Sequence, residues 1–174
     1  MKTFVQITSI GLLLLSFTAC RNATATGKAE QENPDQNVSF DFPPGWEQQA
    51  VPGQTVKFVI GPASKEFAPN INVVSEPYDG TLDEYAKLTV EQLPKTTPGI
   101  KILKQDKFKT ANGLDCIRLI TENQQGASKL RQTCFLFDNG AKKYVITCSA
   151  LAEGGEKLDP VFEASMKTFK FKKK

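Results

Sequence analysis

From residue 112 to residue 150 the chain alternates apolar and polar positions in three successive runs, and each run predicts a β-strand. The runs are rich in β-branched and aromatic residues and cover residues 113–122, 129–138 and 142–150. The links between them are short and carry Gly126 and Asp138-Asn139-Gly140, residue types that close tight hairpins. Links this short make neighbouring strands antiparallel. The pattern therefore predicts a three-stranded antiparallel meander.

Outside the meander, two stretches follow a helical period and the other patterned stretches alternate like strands. Thr81 and Glu84 form a capping box ahead of apolar residues at helical spacing, and Pro94 and Pro98 are expected to end this helix. Asp159-Pro160 predicts the start of a second helix, with Asp159 as its N-cap. The remaining predicted strands cover residues 38–42, 55–60, 71–75 and 100–110, with a short final strand over 170–172.

Runs of strands punctuated by two helices predict an α+β fold. We expect an antiparallel six- to seven-stranded sheet flanked by helices, in a single domain over residues 38–174. The apolar side chains that fall on the periodic faces are predicted to form or border its core: Phe40, Phe42, Trp46, Ile117, Phe135, Ile146, Phe162, Met166 and Phe169.

The first 19 residues are predicted to be a signal peptide, because Lys2 precedes an apolar run that ends at Thr18-Ala19-Cys20. The run is shorter than the ~20 residues of a membrane span. A cysteine after small residues resembles a bacterial lipobox, although Phe17 stands where Leu is usual. We therefore expect Cys20 to be lipidated and residues 20–37, which are poor in apolar residues, to form a flexible tether. The alternative is an ordinary cleaved signal with a chance cysteine.

The charge balance, 22 Lys and Arg against 19 Asp and Glu, argues against a nucleic-acid partner. Lysines nevertheless cluster between residues 101 and 109 and at the end of the chain, where they alternate with phenylalanines. They either discourage edge-to-edge strand pairing or form a basic patch, including Lys107 and Lys109, that faces anionic lipid or an acidic partner. Phe67, in the polar loop 61–70, is a further possible partner contact.

Three cysteines of the domain fall one on each strand of the meander. If the first hairpin is centred on Gln125, Cys116 faces Cys134, and an oxidising envelope permits a disulfide between them. Cys148 would then remain free. The alternative is three buried thiols that act as small apolar side chains.

The chain has no histidine, which excludes Ser-His-Asp and Cys-His catalysis and every histidine-based metal site. It also lacks CxxC, GxSxG and SxxK. No cofactor or metal is therefore expected. Carboxylate chemistry stays open, with Asp115 or Glu76 as a base in a cleft between helix and sheet, but no spacing selects a carboxylate pair.

Residues 38–47 (VSFDFPPGWE) resemble the opening of PsbP-like domains, which begin with an aromatic strand, an aromatic-Pro pair and Gly-Trp. NINVVSEPY leading into TLDEYAKLTVEQL, and NGAKKYVITCSA ahead of the last helix, match the same family. The resemblance covers residues 38–172. It implies an antiparallel sheet with helices on both faces and a non-catalytic accessory role, as in the DcrB-like envelope lipoproteins. The metal-ligating histidines of some photosynthetic members have no counterpart here.

These observations together predict a lipoprotein anchored in the cell membrane or outer membrane and facing the periplasm or exterior. Its domain is expected to bind an envelope protein without catalysis. The alternative is a small-molecule-binding or hydrolytic envelope protein with a carboxylate-lined cleft.

Replacing the proposed lipidation site tests the anchor. We expect Cys20→Ala to move the protein from the membrane fraction to the soluble envelope fraction, because two acyl chains are needed for stable anchoring. Fractionation with labelled palmitate measures the change. A wild-type chain that takes up no palmitate, with a mutant that stays at the membrane, would contradict lipidation.

Overall fold

A computed structural model describes residues 37–50, 57–63, 67–140 and 142–172. The predicted signal peptide, Cys20 and nearly all of the predicted tether lie outside these residues. The strands are β1 (Val38–Ser39), β2 (Glu47–Gln49), β3 (Lys57–Ile60), β4 (Asn70–Pro77), β5 (Lys101–Lys109), β6 (Asp115–Gln125), β7 (Ser128–Asn139), β8 (Lys142–Leu151) and β9 (Lys170–Phe171). The helices are α1 (Leu82–Thr96) and α2 (Asp159–Lys167), the latter preceded by a 3-10 turn at Gly155–Leu158.

Seven strands form one antiparallel sheet in the order β2-β3-β4-β8-β7-β6-β5, and β1 and β9 form a separate two-stranded ribbon. The predicted α+β class and the antiparallel meander are confirmed. The strand predicted over 38–42 is shorter than expected, and β2 was not predicted because its three side chains are all exposed and give no alternation.

Each face of the large sheet is covered by one helix, and we name the faces after them. On the α2 face, the ribbon and α2 pack on strand residues such as Phe135, Phe137 and Ile146. On the α1 face, Tyr85, Ala86 and Leu93 of the helix pack on residues that include Ile117, Leu119, Leu136 and Val145. The central strands β6, β7 and β8 therefore bury both sets of alternating side chains.

The predicted core is confirmed. Seven of the nine side chains are buried, and Phe42 and Trp46 are partly buried against the same cluster. Trp46 meets Phe162 edge-on with ring centroids 5.9 Å apart. A Cβ at Gly61 would lie 2.5 Å from the Trp46 ring, so only glycine lets the backbone approach the indole this closely.

The first helix ends just before Pro98, as predicted, but two details of the predicted helix boundaries are wrong. Pro94 lies inside α1, which continues to Thr96, because a proline near the end of a helix removes one hydrogen bond without displacing the last turn. The Thr96 hydroxyl donates to the carbonyls of Gln92 and Leu93 there. Asp159 does not cap α2, because its carboxylate instead accepts hydrogen bonds from Arg131 on β7 at 3.1 and 2.6 Å.

The predicted Cys116–Cys134 disulfide is wrong as well. The β6–β7 hairpin closes with Gln125 opposite Ser128, so Cys116 pairs with Phe137 and Cys134 with Leu119. This register differs from the expected one by an odd number of residues and places the two cysteines on opposite faces of the sheet. Gly126, at φ +56°, makes the tight turn that sets the register. The cysteines Cys116, Cys134 and Cys148 are all free thiols.

An ion-pair cluster on the α2 face joins β5, β6 and α2. The Arg118 guanidinium donates to both oxygens of Asp106, at 2.8 and 2.6 Å, and also to Glu163 on α2. Its side chain is only 10% exposed. The hydrogen bonds from Arg118, with a smaller contribution from Lys104, lower the pKa of Asp106 to about 2. The cluster therefore fastens the last helix to the edge of the sheet.

Truncating the central aromatic residue should test the core. Phe135 is fully buried and its ring lies 5.1 Å from that of Phe108, so we expect Phe135→Ala to lower the free energy of unfolding by about 3–5 kcal/mol. Urea denaturation measures the change. Leu103→Ala, at an exposed position, is the control and should cost less than about 0.5 kcal/mol.

The ion-pair cluster should make stability depend on pH. A carboxylate whose pKa is lowered by folding stabilises the protein above its unfolded pKa, here 3.8, and loses this contribution as the pH falls towards about 2. Asp106→Asn should therefore cost roughly 1–3 kcal/mol at neutral pH and progressively less below pH 4. Urea denaturation across this pH range measures the difference, with Asp115→Asn at an exposed ion pair as control. An equal cost of Asp106→Asn at pH 7 and pH 2 would refute the assignment.

Candidate functional site: the β5 edge

The strand β5 forms one edge of the seven-stranded sheet, and its nine residues are mostly exposed. The pairing register with β6 shifts between Ile102 and Lys104, which marks a bulge at Leu103. Leu103 is 48% exposed, and among the described residues it is the only large apolar side chain that is exposed. We call the strand, with its outward side chains, the β5 edge.

Lysines surround Leu103 along this edge. Lys104 pairs with Asp106 at 2.8 Å, and Lys109 pairs with Asp115 at 2.9 Å. The Lys107 side chain is exposed and points to the α1 face, as its pairing with Ile117 requires. Exposed ion pairs of this kind contribute little to stability, so Lys104 and Lys109 can exchange their carboxylate partners at small cost.

Lys107 and Lys109 thus lie together, but Phe67 is not near them. Phe67 is half-buried in the connection between β3 and β4, on the other side of the sheet order from β5. The three predicted contact residues therefore do not form one surface. The loop phenylalanine and the lysines must be treated as separate candidates.

The two candidate base residues are also far apart. Glu76 lies on β4 and Asp115 on β6, with β8 and β7 between them, which places them roughly 14 Å apart across the sheet. Asp115 is exposed beside Lys109. Glu76 accepts a hydrogen bond of 2.5 Å from the Tyr85 hydroxyl, and burial together with this carboxylate raises the pKa of Tyr85.

A buried lysine near Glu76 was not foreseen from the sequence. Lys143 is 1% exposed, and its ammonium group donates to the carbonyl oxygens of Tyr78 and Gly140 at 3.0 and 2.8 Å. It also pairs with Asp138 at 2.9 Å. These bonds tie the β7–β8 hairpin to the segment that leads into α1. The only signal in the sequence was the position of Lys143 within a strand of otherwise apolar character.

The cysteine thiols are poorly suited to nucleophilic chemistry. Burial raises the pKa of Cys134 to about 11 and raises the pKa of Cys116 and Cys148 as well. The reactive form of cysteine is the thiolate, so these groups remain thiols at neutral pH. This matches the alternative in which they act as small apolar side chains.

Within the described part of the chain, no three His, Cys, Asp or Glu side chains gather as a metal site would require. The helices described there are also too short or too polar to cross a membrane.

Comparison with models of protein families and with curated proteins gives no match. Solved structures similar in fold include the following three. LpqN, involved in cell envelope biogenesis of Mycobacterium tuberculosis, has a TM-score of 0.58 at 12% identity over 78% of this chain and 83% of its own. The protein of unknown function PA94 from Pseudomonas aeruginosa also scores 0.58, at 14% identity over 71% of this chain and 94% of its own.

The third structure is the cyanobacterial PsbP protein CyanoP from Synechocystis, with a TM-score of 0.57 at 12% identity over 90% of this chain and 99% of its own. Identities this low establish the fold alone. The element order, the two covered faces and these three likenesses agree with the resemblance seen in the sequence, and the chain therefore has the PsbP-like fold.

Proposed function

We propose that this chain is a lipid-anchored envelope protein whose PsbP-like domain binds an acidic segment of a protein partner at the β5 edge, without catalysis. The observation that carries the proposal is the exposed Leu103, set in a bulge of a basic edge strand. An edge strand offers unpaired backbone groups to an added strand, and flanking side chains select which strand can bind.

Charge decides which partner fits. Lys101, Lys104, Lys107 and Lys109 give the β5 edge an excess of positive charge over Asp106. A second copy of the same edge would bring like charges together, which disfavours self-pairing. A partner segment that carries Asp or Glu gains attraction from the same lysines. The lysines can therefore both discourage pairing between two copies of this edge and form the basic patch that binds an acidic partner.

The envelope setting rests on two supports. One is the lipobox-like sequence that ends at Cys20, and the other is the similarity of fold to LpqN, a protein involved in cell envelope biogenesis. A tether over residues 20–37 would let the domain search for its partner close to the membrane. The anchor supplies a high local concentration, so a modest interface suffices.

The rival hypothesis is a small-molecule-binding or hydrolytic protein that uses Glu76 or Asp115 as a base. Glu76 is the better placed of the two because it is hydrogen-bonded to the partly buried Tyr85 hydroxyl. We favour the docking function because Asp115 is exposed and ion-paired and the two carboxylates cannot act on one bond.

Site-directed crosslinking in intact cells tests docking. A photo-crosslinking residue at position 103 should capture one specific envelope protein, while the same residue at Glu91, on the exposed side of α1, should not. Lys107→Glu should reduce the crosslinked product strongly because it reverses the charge, and Lys87→Glu on α1 is the matched control.

The outcomes separate the hypotheses. Crosslinks to lipid alone from position 103 would support the anionic-lipid interpretation of the lysines. Identical products from positions 103 and 91 would rule out a docking site at the β5 edge. A metabolite retained by the purified chain through dialysis and lost in Glu76→Gln would favour the rival hypothesis.

A further inference from the structure

The α1 face of the sheet changes from apolar to polar part of the way along its strands. The apolar contacts of α1 reach the row formed by Leu119 and Cys134. The next row along the strands consists of Thr121, Gln132 and Ser149, which are direct neighbours across β6, β7 and β8. All three side chains are at most 4% exposed. Beyond them on β6 lies Asn123, which is 2% exposed.

Two of these side chains carry polar atoms that the described residues leave without a partner. Asn123 has neither a donor for its Oδ1 nor an acceptor for its Nδ2. Gln132 donates from Nε2 to the Ser149 hydroxyl at 3.1 Å, but its Oε1 accepts nothing. A buried polar group without a hydrogen bond costs about 1–3 kcal/mol, so three such atoms in one place call for an explanation.

The orphaned atoms lie close enough together to serve one ligand. Asn123 pairs with Leu130, so Gln132 is its diagonal neighbour on the same face, a relation that corresponds to about 7–8 Å. No Asp, Glu, Lys or Arg belongs to this group of Thr121, Asn123, Gln132 and Ser149, which we call the amide cluster. Asn123 is one same-face step from Gln125, which is partly exposed beside the turn that closes the β6–β7 hairpin.

We propose that the amide cluster binds a small neutral polyol. The three unsatisfied atoms are one donor and two acceptors. Each hydroxyl group both donates and accepts, so neighbouring hydroxyls can satisfy the two ends of the Asn123 carboxamide while a third donates to Gln132. A charged ligand is disfavoured because the cluster offers no counter-charge to compensate for burial. A single primary amide would satisfy Asn123 but leave the Gln132 oxygen unmatched.

The unpaired amide atoms of this site lie on β6 and β7 and not on the β5 edge, although Thr121 pairs with Ile102 of β5. The site differs also from the carboxylate-lined cleft of the rival hypothesis. Glu76 lies on β4 near the start of α1, and apolar contacts of that helix separate it from the amide cluster. Loss of polyol binding and loss of partner docking can therefore be observed separately.

Side-chain amide NMR of the full chain in detergent tests the proposal directly. Titration with xylitol should shift the Asn123 and Gln132 amide signals in a saturable way and leave the exposed Asn112 signal unchanged. Gluconate, a charged relative, should produce no such shift. Thermal stabilisation is not a suitable measure, because polyols stabilise proteins in general by exclusion from their surfaces.

Variants identify the site. Asn123→Leu should weaken xylitol binding, seen at Gln132, by about tenfold or more through the loss of its hydrogen bonds. Gln49→Leu makes a similar polar-to-apolar change at an exposed position on β2, away from both sites, and should leave binding unaltered. If Asn123→Leu does not fold, Gln132→Met probes the same cluster through Asn123. An unshifted Asn123 signal at saturating xylitol, or long-lived contacts to buried water only, would overturn the proposal.

Discussion

The structure depends on one constraint: the central strands of the sheet have no solvent-facing side. Because α1 covers one face and α2 with the ribbon covers the other, each buried charged residue on β6, β7 or β8 must find its partner inside the fold. Arg118 binds Asp106 and Glu163, Arg131 binds Asp159, and Lys143 binds Asp138. Each of these pairs joins two different elements, so the pairs that relieve the burial of charge also fix where the helices and hairpins lie.

The amide cluster departs from this rule. On β6, β7 and β8 the buried charges have ion-pair partners, with Asp138 Oδ1 2.9 Å from Lys143 but outside hydrogen-bond geometry, while the neutral amides of Asn123 and Gln132 keep atoms without any partner. In the same fold Arg118 donates three hydrogen bonds to carboxylates. Leucine at position 123 would leave no side-chain polar atom without a partner. Buried polar atoms without partners cost stability, and real folds depart from full satisfaction mainly at functional sites, which is the basis of the binding proposal.

Sequence alone predicted most of the fold because its signals are local. Alternation marked β4 to β8, the Thr81 capping box marked α1, and the aromatic residues marked the core. The errors arose where the outcome depends on distant partners. The hairpin register, which separates Cys116 from Cys134, was set by a two-residue turn. Asp159 binds Arg131 on another strand and therefore does not cap α2. Of the β5 edge, the sequence predicted only Lys107 and Lys109 as contact residues, because the alternation of apolar and polar positions does not reveal the bulge at Leu103. The same alternation does not reveal that Asn123 is buried.

The two edge strands of the sheet, unlike its central strands, expose backbone groups that can pair with another chain. At β2 the sheet ends in three exposed residues, which is too short to invite pairing. At β5 it ends in nine, and only lysines and a bulge protect them. A long edge that repels its own copy but keeps an apolar side chain at 48% exposure is protected against aggregation without being closed to other chains. An acidic partner strand would replace the weak pairs of Lys104 and Lys109 with its own carboxylates, and it would cover Leu103 in the same step.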